Sequence, residues 1–275
     1  MTADFISQDP PEFLYKYRAL SNPDDLRKVS EIFTHKRLYC ATPSQFNDPF
    51  DCCPAYSWEA SSYARKLYLR DLIEEDARKF TKSQTRKKVR QGLKRLRKQS
   101  TDNELFNKGK NDARKLLANV SRVLSLSANC SNILMWSHYG GNHEGICLRL
   151  NLVNSRSRLK NAFPVFYEEN RPIINLIKDN DELRYKKALL TKSSQWAYEK
   201  EYRLIEIPPK NNISRKVRKF FYFPPEALDA VILGSNISSS NEIFIRKLIT
   251  EYPTEIKIVR AQMSDTEYGL DIKEL

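Results

Sequence analysis

Between Ala77 and Lys98 the chain carries 11 Lys and Arg residues and no acidic one (ARKFTKSQTRKKVRQGLKRLRK). Charge at that density cannot enter an apolar core, because each unpaired buried cation would cost several kcal/mol, roughly. The run is therefore peripheral, and whatever core the chain builds must come from the sequence on either side. Residues 59–120 hold 18 Lys and Arg against 8 Asp and Glu, so they account for most of the net charge of +13. This divides the chain into an N-terminal part of a core (1–58), a basic insertion (59–120) and the remainder of the core (121–275).

The insertion reads as helical. Ser61 to Phe80 sets Tyr63, Leu67, Leu69, Leu72 and Ile73 at near-helical spacing. Val89, Leu93 and Leu96 form a thin apolar stripe on a cationic helix, and Asp102 to Val120 supplies a further amphipathic stretch. Arg86, Lys87, Lys88, Arg90, Lys94, Arg95, Arg97 and Lys98 are the expected nucleic-acid contacts, since Lys and Arg release counterions from phosphates. An acidic protein is the next candidate partner, and a membrane surface a distant third. A solvated face that serves only solubility is the plain alternative.

Outside the insertion, short apolar stretches and short helices mix without regular alternation. Strands are expected at Phe13–Arg18, Arg37–Ala41, Val123–Ala128, Gly145–Leu150, Phe163–Glu168, Tyr202–Ile207, Lys219–Phe223, Ala230–Leu233 and Glu255–Arg260, with a short edge strand at Leu270–Ile272. Helices are expected after Asn22-Pro23 and over Asn132–Tyr139, Asp179–Ser194 and Asn241–Glu251. The pattern implies an α+β fold with a mixed or antiparallel sheet and flanking helices.

Several classes are excluded. With 7 glycines there is neither a G-x-x-x-x-G-K-[ST] nor a G-x-G-x-x-G motif. Five cysteines, two of them adjacent (Cys52-Cys53), suit free thiols and a reducing cytoplasm. No apolar run approaches the roughly 20 residues that span a bilayer. Cys130, His138, His143 and Cys147 lack a compact zinc spacing, so no zinc site is expected.

Polar residues gather in four places: Tyr15-Lys16-Tyr17-Arg18, the loop with Asn47, Asp48 and Asp51, the stretch Trp136 to Glu144, and Glu199, Glu201 and Arg203 among Trp196, Tyr198 and Tyr202. Two of the three histidines lie in the third group. A metal-dependent nuclease built on Asp48, Asp51 and Glu201, with His138 as general base, is one reading. A non-catalytic nucleic-acid-binding protein is another.

The segments LYKYR, RLYCATPSQFNDPFD, LSLSANCSNILMWSHYGGNHEGICLRL and WAYEKEYRLI, followed by PPEALDAVILGSNI, resemble an uncharacterised bacterial family. Their order is also similar to that of ADP-ribosyltransferase-like proteins, which hold NAD in a split-sheet α+β fold. That second resemblance implies NAD as substrate. It assigns Glu201, His138 and Tyr139 to catalysis, with Glu199 as the competing carboxylate. It gives Arg18, Tyr17, Trp136 and Arg203 to NAD binding, and sets Ser125 and Ser127 loosely in the central signature. It further implies an effector in defence or a toxin, acting on nucleic acid or a target associated with it.

Overall fold

The computed structural model describes residues 11–77, 84, 86–87, 89–91, 101–153, 157–207 and 217–274. β1 (Phe13–Arg18) leads to helix α1 (Pro23–His35), which starts where the Asn22 side chain accepts from the Asp25 amide and Pro23 supplies the first turn. β2 (Arg37–Tyr39) and β3 (Ala55–Ser57) precede the insertion helices α2 (Ser62–Ala77) and α3 (Thr101–Val120). Next come β4 (Arg122–Ser127), α4 (Ile133–Tyr139) and β5 (Ile146–Asn151). β6 (Phe163–Pro164), β7 (Phe166–Glu168) and β8 (Ile173–Asn175) are short. Helix α5 (Asp181–Leu189), β9 (Thr191–Ser193), a 3-10 turn (Ser194–Glu199) and β10 (Glu201–Glu206) follow. β11 (Phe220–Tyr222), β12 (Leu228–Leu233), α6 (Ser239–Thr250), β13 (Lys257–Met263) and β14 (Leu270–Glu274) complete the chain.

Eight strands form one mixed sheet in the order β14-β13-β12-β5-β1-β4-β10-β6, and three two-stranded pieces stand beside it. The β12–β13 pairing is parallel and the remaining ladders of the large sheet are antiparallel. The fold is α+β, as the sequence pattern implies. The sheet is nearly split in the middle: β1 and β4 share one paired position, Tyr15 with Ser127, whereas β1 and β5 share six.

Alternation along each strand sorts the side chains into two layers. Leu14, Leu124, Leu126, Ile146, Leu148, Leu150 and Leu204 meet Val29, Ile32 and Phe33 of α1 and Ile245 and Leu248 of α6 in the main core. On the opposite face Tyr17, Cys147, Ala230, Ile232 and Val259 pack with Met135 and Trp136 of α4. A third cluster joins Cys52, Leu117, Val123, Ile174, Leu176 and Leu189, which ties α3 of the insertion to the body of the protein.

Two expected elements divide differently. The helix expected over Asp179–Ser194 stops at Leu189, and Thr191–Ser193 extends to pair in parallel with β7. The strand expected over Phe163–Glu168 breaks at Val165: β6 pairs with β10 and β7 with β9. Strands of two or three residues are too short to leave a period-two signature, which also hides β3 and β8. In the insertion, Leu69 of α2 is buried as expected, while Tyr63 is 78% exposed.

Candidate functional site

Four sequence-distant segments converge on the face of β10 that carries Glu201 and Arg203. Arg203 is fully buried and its guanidinium is saturated. Nε donates to Glu201 Oε1 at 2.8 Å, and Nη2 donates to Glu201 Oε2 at 2.9 Å and to Asp51 Oδ2 at 2.6 Å. Nη1 donates to the Leu189 carbonyl at 2.8 Å and contacts Cys52 Sγ at 3.3 Å. The Pro43–Asp51 loop thus delivers its terminal carboxylate to the ion pair. Asp48, earlier in the loop, accepts from the Phe50 amide at 2.8 Å and folds the chain back.

Lys192 of β9 links this pair to a second carboxylate. Its buried ammonium donates to Glu199 Oε2 and, at 3.2 Å, to Glu201 Oε2, and lies 3.6 Å from Asp51 Oδ2. Glu199 closes the 3-10 turn and Glu201 opens β10, with Lys200 between them in the left-handed region (φ 43°). Both glutamates therefore reach one lysine. Glu199 Oε1 accepts from the Tyr139 hydroxyl at 2.7 Å, and Asn47 Nδ2 lies 3.4 Å from that hydroxyl.

The two glutamates ionise in opposite ways. Burial alone would raise Glu201, but the Arg203 guanidinium, the Lys192 ammonium and a hydrogen bond from the Ser125 hydroxyl hold it down at about 2. Glu199 is raised above the ordinary carboxylate range by burial and by the Glu201 charge, against the pull of Lys192 and the hydrogen bond from Tyr139. Burial disfavours the Lys192 ammonium, yet Glu201, Glu199 and Asp51 raise its pKa above the usual lysine range. Burial and the Glu199 charge raise the Tyr139 phenol too. Glu201 is a fixed anion, and Glu199 is the carboxylate whose charge can change.

Above Glu199 stands an aromatic rim. His138 is exposed at the end of α4, and its Nδ1 is hydrogen bonded to the Tyr198 hydroxyl at 3.0 Å. The His138 ring lies 6.2 Å from Tyr139, 6.2 Å from Trp196 and 6.1 Å from Tyr198, centroid to centroid. The Lys192 ammonium sits 5.0 Å from the centre of the Trp196 ring. The helix that presents His138 and Tyr139 is short, and two contacts with the segment before it set its orientation. Asn132 caps it through the Leu134 and Met135 amides, and the Trp136 indole donates to the Cys130 carbonyl at 2.8 Å.

Several expected roles do not survive this geometry. Trp136 is 0% exposed and packs edge-on against Tyr17 at 5.2 Å, so its indole is a core element and cannot stack on a nicotinamide ring. Tyr17 is buried with its hydroxyl donating to the Asn129 carbonyl at 2.8 Å, and it too is unavailable to NAD. Arg203 spends its guanidinium on Glu201, Asp51 and Leu189, which leaves nothing for a pyrophosphate. Arg18 extends from the other face of β1 to Tyr17, where burial lowers it to about 10 against the attraction of Asp25. It therefore stands on the face away from the Glu201–Arg203 pair.

The nuclease ligand set fares no better. Asp51 and Glu201 are committed to Arg203, Asp48 to the backbone, and among the described residues no three His, Cys, Asp or Glu side chains converge as metal ligands. His143, 3.3 Å from the Ser137 hydroxyl, stacks beside Trp136, while Cys147 is fully buried. Of the expected nucleic-acid contacts, Arg86, Lys87 and Arg90 are helical and exposed. Lys88, Lys94, Arg95, Arg97 and Lys98 lie outside the described residues.

Lys192 is the main residue that sequence reasoning missed. It falls within the helix expected over Asp179–Ser194, and a lone lysine carries no motif. In the sequence Tyr198 stands only as an aromatic neighbour of the glutamates, and Lys16 as a member of the Tyr15-Lys16-Tyr17-Arg18 group with no role of its own.

The model of a family described as a protein of unknown function (DUF2971) matches residues 135–204. That interval contains α4 from Met135 onward, the 3-10 turn and the Glu201–Arg203 pair, while Asp51 and Lys16 lie outside it. It supports a relation to an uncharacterised family and carries no activity. No curated protein and no solved structure matches the chain. Among the described residues, no helix is long and apolar enough to cross a membrane.

Proposed function

We propose that the protein is an NAD-consuming enzyme of the ADP-ribosyltransferase type, in which Glu199 faces the substrate and Glu201 is the buried anchor. One observation carries this reading: buried Glu199 is held by a phenol and an ammonium, Tyr139 and Lys192, that themselves border the exposed His138 and the half-exposed Trp196, while both oxygens of Glu201 are locked by the fully buried Arg203 guanidinium. Cleaving the nicotinamide–ribose bond leaves neutral nicotinamide with the bonding electron pair and an oxocarbenium-like ribose. A carboxylate aimed at that ribose stabilises the charge as it develops. The pyridinium ring of NAD is a flat cation, and the rings of His138, Trp196 and Tyr198 offer it stacking and cation–π contacts. An acceptor hydroxyl or amine would then bond to the anomeric carbon and pass its proton to the exposed His138.

The acceptor we propose is nucleic acid or a target bound to it, recruited by the insertion. Exposed Arg86, Lys87 and Arg90, and the acid-free run from Ala77 to Lys98, support phosphate contact. An effector role, in bacterial defence or as a toxin, suits an enzyme that spends NAD in this way.

The test is nicotinamide release from NAD in the presence of RNA, DNA and total protein. Wild type should release it, and Glu199→Gln should lose at least about 100-fold while remaining folded. Absence of release by wild type with every acceptor would overturn the reading.

A further inference from the structure

The large sheet ends unevenly. At one edge β6 is two residues long, while at the other β14 runs for five with no strand beyond it among the described residues. The Ser264 amide donates to the Gly269 carbonyl at 3.0 Å, which continues the β13–β14 register as a hydrogen-bonded pair. Bonded and non-bonded pairs alternate along an antiparallel ladder, so Asp271 and Lys273 spend their backbone groups on β13. Leu270, Ile272 and Glu274 turn theirs to the open edge. Such a row of unpaired donors and acceptors is a template for another strand.

The sequence of this edge is its own complement. Two copies of β14 laid antiparallel about a two-fold axis at Ile272 bond Ile272 to Ile272 and Leu270 to Glu274. Asp271 of each copy then stands opposite Lys273 of the other, at the closely spaced non-bonded positions where cross-strand charge pairs act. The adjacent registers that keep the outward groups bonded set Asp271 against Asp271, or Lys273 against Lys273, so charge selects one register. Both side chains are exposed, and among the described residues neither has an ion-pair partner. Within its own sheet Lys273 faces the like charge of Arg260.

The rest of the edge agrees. On the other face Ile272, half-buried against the cluster that holds Ala261 and Leu270, would be covered by its own copy. Met263 and Tyr268, 75% and 103% exposed, add apolar surface at the turn that leads into β14. The basic insertion does not oppose the contact. Leu117 ties it to Val123 of β4, across the sheet beyond β12, β5 and β1, so the two cationic segments lie far apart.

We propose that β14 is a homodimer interface, which joins the sheets of two copies of this chain into one continuous sheet in the register centred on Ile272. The candidate site and the insertion stay at the outer ends of that sheet, and the proposal is independent of the chemistry at Glu199.

An interface this small is weak, so the test is sedimentation of the full chain at up to about 100 µM. Wild type is compared with Asp271→Lys, with Lys273→Asp and with an equal mixture of the two. Wild type should show a monomer–dimer equilibrium. Each single substitution sets like charges against each other at both pairs and should weaken association at least about tenfold. The mixture should restore it, because every pair across the two variants is again a lysine against an aspartate. A monomeric wild type would overturn the proposal. So would single variants that associate as wild type does, or a mixture that associates no better than its components. Should either variant fail to fold, hydrogen exchange of wild type decides. The Ile272 amide should exchange more slowly in concentrated than in dilute protein, whereas the Lys273 amide, bonded within its own sheet, should not respond. Exchange at Ile272 that is independent of concentration refutes the interface.

Discussion

Glu199 and Glu201 stand two residues apart and touch the same lysine, yet they occupy different worlds. Glu201 is gripped on both oxygens by a fully buried arginine that also holds Asp51, and it stays ionised to about pH 2. Glu199 has one ammonium and one phenol, lies under half-exposed aromatic rings, and is raised rather than lowered. The difference teaches how a protein separates anchor from working group. Saturating one carboxylate with a guanidinium makes it part of the scaffold, and its charge then keeps the neighbouring carboxylate adjustable.

That contrast can be broken most forcefully at its anchor. Arg203→Met removes the cation but leaves Asp51 and Glu201 buried, so unfolding free energy should fall by about 3–5 kcal/mol in denaturant titration. The pH dependence of stability separates the two glutamates with opposite signs. For Glu201 the folded pKa lies below its ordinary value of 4.5, so its contribution is present above that pH and is lost as pH falls toward about 2. Glu201→Gln should flatten this acid limb, whose size is on the order of 3 kcal/mol. For Glu199 the folded pKa is raised, so the native state holds its proton longer and stability declines as pH rises from 4.5 through the folded value. Glu199→Gln should remove that decline, which thermal melts across pH 4 to 8 (roughly the window set by these groups) would record.

Smaller effects sharpen the boundary between the two. Tyr139→Phe removes one hydrogen bond to Glu199 and should cost about 1 kcal/mol of stability, with the Glu199 titration moving further upward. His138→Ala, at the exposed rim, should leave stability within about 0.5 kcal/mol of wild type. Its effect belongs in NAD binding, read by calorimetry, and in proton transfer from the acceptor, read by kcat for transfer in the presence of acceptor.

The sequence carried much of this in its alternation and its polar clusters. The α+β class follows from short strands mixed with short helices, and α1 is announced by Asn22-Pro23-Asp24-Asp25. Asp51, Tyr139, His138, Glu199, Glu201 and Arg203 all stood out as uncommon polar residues. What could not be read was which of them are inward. Tyr17, Trp136 and Arg203 look like ligand-binding residues in a string of letters, and burial converts all three into structure. Conversely Lys192 is invisible until β9 bends out of what reads as a continuous helix. It depends on a strand of three residues, which local patterns do not encode.

The central claim is that one E-x-E segment yields a fixed anion and an adjustable carboxylate. Site-resolved carboxyl NMR of wild-type protein from pH 1.5 to 8 (roughly the range over which both groups titrate) tests it directly. The account predicts that the Glu201 resonance moves in a step near pH 2 and that of Glu199 in a separate step above 4.5. Two coincident steps in the ordinary carboxylate range, or the reverse order, would contradict it.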